Sequence, residues 1–79
     1  MTKFLICYKI RGDNVEDWAV LNYDAYGKYS FPKEAPPKNF MNMEILSLAK
    51  LDEYTSNLNV KELKVMVEKG AIEMKALVQ

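Results

Sequence analysis

The chain has 79 residues, equal numbers of basic and acidic side chains (11 each), no histidine and one cysteine. Zero net charge argues against a protein that lives by gripping phosphates, which usually carries a clear basic excess. The missing histidine removes His-based acid–base chemistry and the usual zinc sets, and a lone Cys7 permits no internal disulfide.

A hydrophobic fraction of 49% is ordinary globular composition, so the expectation is one folded domain over residues 1–79. A chain this short buries only about 60% of its unfolded surface, which makes help from a second subunit plausible. The opening apolar run is broken at Lys9, too short to span a membrane, and lacks a small-residue cleavage site. With the single thiol in an apolar stretch, this points to a cytoplasm, bacterial or of an infected host.

Residues 3–10, "KFLICYKI", are almost continuously apolar and rich in β-formers, as in a central strand covered on both faces. Next, Asn14 precedes two acids, Glu16 and Asp17, and Gly27 stands where a residue after a helix end would. Val15, Trp18, Ala19, Ala25 and Tyr26 share a helical face with one polar intruder, Asn22. This reads as a helix over 15–26, with a strand over 18–23 as the competing reading. "KYSF", residues 28–31, is a short strand with Tyr29 and Phe31 on one side. "PKEAPPK", residues 32–38, has too many prolines for a helix or a central strand and reads as a loop. In 39–51 the apolar residues spread all round a helix, which favours a strand, and 52–58 connect onward.

The last stretch turns on Gly70. Asn59 is a good N-cap with Glu62 three residues on, Lys69 suits a last turn, and Gly70 suits the left-handed position beyond it. "AIEMKALV" then alternates. The reading is helix 60–69 and strand 71–78 rather than one long helix. The order β-α-β-β-α-β is a ferredoxin-like split βαβ arrangement: a four-stranded antiparallel sheet, two helices on one face, the first and third strands central. Such a fold hosts many functions and specifies none.

In that fold one sheet face stays open. If Phe4, Ile6, Tyr8 and Ile10 face the helices, then Lys3, Leu5, Cys7 and Lys9 face out. The third strand adds either Leu46 and Leu48 or Met43, Ile45 and Ala49. Either set is an apolar strip large enough to read as a binding surface. Lys28, Lys33 and Lys38 around Tyr29 and Phe31 are the interleaving of basic and aromatic residues in the chain. Against these stand plain readings: Cys7 as a small buried hydrophobe, Trp18 and Tyr26 as core, the loop lysines as solvated charge. The glycines are isolated, so there is no phosphate-cradling loop, and the adjacent carboxylates are not spaced as a catalytic pair.

The first expectation is therefore a protein-binding module without catalysis, cofactor or metal. Its contacts come from Leu5, Cys7, Lys9, Tyr29, Phe31, Lys33, Lys38, Leu46 and Leu48. Its size and composition suit an inhibitor from a phage or mobile element that blocks a host protein. A homodimer is the other protein partner considered. The second expectation is a ferredoxin-like dimer enclosing a small-molecule cavity lined by Tyr8, Trp18 and Tyr23, with Cys7 or Asp24 as acid–base group. The third is single-stranded RNA or DNA binding through Tyr29, Phe31, Lys33 and Lys38.

Overall fold

The computed structural model describes residues 2–31 and 42–77. The fold is α+β: the described residues form one open antiparallel sheet of five strands and a single α-helix. The strands are β1 (Thr2–Ile10), β2 (Glu16–Tyr23), β3 (Tyr29–Ser30), β4 (Met43–Lys50) and β5 (Lys75–Ala76). Helix α1 (Val60–Glu68) lies between β4 and β5 in sequence, after a short 3-10 turn, Thr55–Asn57. The spatial order is β3-β2-β1-β4-β5, with β1 at the centre.

The expected first helix is β2. Glu16 and Asp17 lie within β2 opposite Lys9 and Tyr8, and the following glycine serves with Asp24 in a hairpin instead of a helix end. Asp24 N–H donates to the Lys28 carbonyl at 2.9 Å, and the Asp24 carboxylate accepts the amides of Tyr26 and Lys28. Gly27, at φ +82°, supplies the left-handed residue that closes a three-residue hairpin loop. A helix end and this loop make the same demand on the backbone, so the glycine could not tell them apart. The split βαβ arrangement is corrected on this point: β1 and β2 pair directly, Thr2 opposite Tyr23 through Lys9 opposite Glu16.

β1 also pairs antiparallel with β4, and the register shifts between Cys7 and Tyr8. Ser47 lies opposite Cys7 and Ile45 opposite Tyr8, so Leu46 is the extra residue of a bulge. Met43 and Ile45 therefore share a sheet face with Leu48. Neither of the two alternating sets expected for this strand survives, because a bulge reverses the alternation midway.

The end of the chain follows its capping signals. Asn59 accepts the Glu62 amide at 2.8 Å, and the Glu62 side chain accepts the Asn59 amide at 3.2 Å. At the other end Ala71 N–H reaches the Met66 carbonyl at 2.9 Å and Gly70 N–H the Val67 carbonyl at 3.1 Å. Gly70 sits at φ +78°, the left-handed residue of this Schellman motif. The strand after it is much shorter than the alternation suggested. Among the described residues Lys75 and Ala76 pair in register with β4, Leu77 N–H adds a bond to the Leu46 carbonyl at 3.0 Å, and Ile72 and Met74 pack beneath α1.

Two apolar layers result. On the α1 face, Leu5, Leu51 and Leu63 form the buried centre, with Trp18, Val20, Leu58, Val67, Ile72 and Met74 around them. On the opposite face, Ile6, Tyr8, Ala19 and Leu21 are buried, with Phe4, Ile10, Phe31, Met43, Ile45 and Leu48 packed against them. Among the described residues no helix lies on this second face. The expected orientation of β1 is thus inverted. Leu5 and Cys7 point under the helix, and Phe4, Ile6 and Tyr8 point away from it.

Candidate functional site

β3 pairs with β2 through Asn22 opposite Ser30 and Tyr23 opposite Tyr29. The side chains of a facing pair lie on the same side of a sheet. Tyr23 follows Leu21 by two residues, so Tyr23 and Tyr29 stand on the helix-free face. Phe4 meets Tyr23 edge-to-face with ring centroids 6.3 Å apart, and Tyr29 meets Phe31 in the same way at 6.4 Å. The row Phe4, Tyr23, Tyr29, Phe31 thus crosses three strands and their margin. Phe4 and Phe31 root it in the core, while Tyr23 and Tyr29 are exposed. At the hairpin tip Tyr26 is 90% exposed. Its backbone is held by the Asp24 carboxylate, so the ring projects from an ordered turn.

A second feature lies on the α1 side. An open groove of about 340 Å³ runs between α1 and the start of β2, lined by Asp17, Trp18, Val60, Lys61, Lys64, Val65 and Glu68. Lys61, Lys64, Val65 and Glu68 recur at helical spacing and form one face of α1. Asp17 lines the groove where β2 begins. Its Oδ1 accepts the Trp18 amide at 2.8 Å, and its Oδ2 accepts the Tyr8 hydroxyl at 3.4 Å. Burial first, then the Asp17 charge, push the Tyr8 hydroxyl above the ordinary tyrosine value.

The expected site residues scatter. Leu5 is fully buried against Leu63, and Cys7 is buried beside it. Burial is also the largest cause raising the Cys7 thiol above its ordinary value; Glu16 and Asp17 add to it, while Lys64 and a hydrogen bond with Ser47 oppose it. This is the environment of an inert thiol. Lys9 is half-buried between Glu16 and Glu44 in the register, where opposite charges are favourable. Leu46 and Leu48 are half-buried; Leu46 is the bulge residue itself and Leu48 lies opposite Ile6. Tyr29 and Phe31 do come together. Lys33 and Lys38 lie outside the described residues. Tyr8 and Trp18 belong to opposite faces of the sheet, so they do not line one cavity with Tyr23.

Sequence reasoning missed Tyr23 as a member of the row, because a helix over 15–26 sends it elsewhere. The D-A-Y-G-K loop signal was the clue that places it opposite Tyr29. Among the described residues no group of three or more His, Cys, Asp or Glu could hold a metal ion. No described helix is long and apolar enough to cross a membrane. The chain matches no family model, and comparisons with curated proteins and with solved structures return no similar protein.

Proposed function

We propose that this chain is a non-enzymatic binding module that docks on a protein partner through its aromatic row. The supporting observation is the pair of exposed tyrosines, Tyr23 and Tyr29, backed by Phe4 and Phe31 and flanked by Tyr26. Tyrosine carries a large rigid ring at low entropic cost and a hydroxyl for polar contacts, which is why it anchors protein interfaces. The partner surface that fits is apolar with hydrogen-bond acceptors at its rim. Occupying such a surface is enough to block a partner, so an inhibitory role in a reducing cytoplasm is the natural form of this reading.

The test is a photo-crosslinking phenylalanine analogue at Tyr29, with the exposed Tyr54 before α1 as control position. The expected result is one protein adduct at Tyr29 and none at Tyr54. Tyr29→Ser should then weaken binding of the purified partner about tenfold or more. Equal adducts at both positions, or unchanged affinity, contradict the proposal.

A second reading has one observation in its favour: Lys28 stands between the exposed Tyr26 and Tyr29, a small stacking platform with a cation. Binding of a labelled single-stranded oligonucleotide that falls steeply with salt and is lost in Tyr29→Ser would shift the assignment to nucleic acid.

A further inference from the structure

β2 has a free edge. Asp24 N–H bonds to Lys28 O, so Asp24 points its backbone groups toward β3. Antiparallel ladders alternate, so Asn22, Val20 and Trp18 point the same way. β3 pairs only with Asn22 and Tyr23. Val20 and Trp18 are left facing outward with no partner strand among the described residues. An open edge is a template for another strand. Here the groove beneath α1 runs beside it.

From this edge and the charge pattern of the groove, we propose that two copies of the chain pair their β2 edges antiparallel about a two-fold axis near Trp18, with their α1 helices side by side. The charge pattern selects a second copy as the occupant. Lys61 and Glu68 flank Lys64 and Val65 symmetrically on the groove face of α1. They are two turns apart, about 10 Å along the axis, and do not pair within one helix. When a second α1 lies antiparallel, each Lys61 meets the other copy's Glu68, and each Lys64 lays its aliphatic stem over the other copy's Val65 near the axis. This is the isologous pattern that a two-fold interface requires.

The backbone agrees with the side chains. The middle of the free edge, Trp18, lies in the same groove as the middle of the helix face, so one axis serves both. Asp17 holds the Trp18 amide in the single copy. Pairing exchanges that local bond for one to the second copy. The sheet becomes continuous across the axis, with both helices on one face and both aromatic rows on the other. The proposed partner site thereby becomes bivalent without being covered.

The experiment is sedimentation velocity on the full chain, with emission of Trp18, its only tryptophan, as a second signal. Expected are a dimer and a blue shift of Trp18 emission as concentration rises. Lys61→Glu and Glu68→Lys should each weaken self-association about tenfold or more. Mixing the two variants should restore a dimer, because the acids at positions 61 and 68 of one helix then meet the lysines at positions 61 and 68 of the other. Val20→Pro leaves the β1 side of the ladder intact, since its amide faces outward, and should also yield a monomer. A monomer at every concentration overturns the proposal. So does a dimer that the charge variants leave unchanged, or a mixture no tighter than either variant alone. None of these outcomes touches the aromatic row, whose crosslinking result stands separately.

Discussion

The two faces of this sheet are built from alternate residues of the same strands and have opposite fates. On one, Leu5 and Trp18 lie beneath a helix that places a fully buried Leu63 over them. On the other, Ile6 and Leu21 are buried within the layer, but the row from Phe4 to Tyr29 ends in exposed rings. The first face derives its burial from a separate element, so its side chains carry stability. The second has aromatic area left over at the hairpin, where the same chemistry becomes available to a partner. A residue's hydrophobicity does not distinguish these roles; the layer above it does.

The sharpest contrast is between Leu63 and Tyr29. Leu63→Ala should cost about 2–5 kcal/mol in urea denaturation, because it opens a cavity beside the buried Leu5 and Leu51. Tyr29→Ser should change stability by no more than about 0.5 kcal/mol while removing partner binding. Comparable losses from both would erase the distinction between the faces.

The ends of α1 test how the covering layer is held in place. Gly70→Ala should destabilise by about 1 kcal/mol. An added Cβ meets nothing within 4 Å, so left-handed backbone strain is the whole effect. Asn59→Ala removes the capping box and should cost about 1 kcal/mol by thermal or chemical unfolding. Neither change should alter binding at Tyr29.

The smallest effect is expected at high pH. Burial and Asp17 raise the Tyr8 hydroxyl above its ordinary value, and an unfolded tyrosine titrates near about 10. The protonated form is therefore favoured by folding. Its contribution is full below that pH and is lost as pH rises through the folded value. Tyr8→Phe should flatten the alkaline arm of the stability curve, measured by urea midpoints across that range. The same logic holds for Cys7, whose raised thiol should react with a disulfide reagent far more slowly in the native than in the unfolded protein.

Where the chain states its structure locally, the sequence was readable. Asn59, Glu62, Lys69 and Gly70 lie within one short segment and act on one another, and α1 ends where they indicate. β1 was readable because both of its faces are buried along its middle and its residues are almost continuously apolar between Lys3 and Lys9. β2 was not, for the same physical reason in a shorter run. Trp18, Ala19, Val20 and Leu21 are apolar on both faces, and four such residues satisfy a helix as well as a strand. The inversion of β1 followed, because which alternate set faces the helix depends on where α1 docks, a long-range fact. The bulge at Leu46 is also invisible locally. The aromatic row was half legible: Tyr29 and Phe31 are neighbours in sequence, whereas Phe4 and Tyr23 join them only through pairing.

The account stands on residues 16–23 being a strand, since a helix there would remove both the hairpin that carries the row and the free edge. Backbone NMR tests this most directly. Trp18 and Val20 point their amides outward, so they form the close, non-hydrogen-bonded pairs with Cys7 and Leu5. The expected spectrum has extended-chain Cα shifts over 16–23 and strong Hα–Hα contacts between Cys7 and Trp18 and between Leu5 and Val20. Helical shifts with sequential amide–amide contacts over 15–26, and no cross-strand contacts, would contradict it.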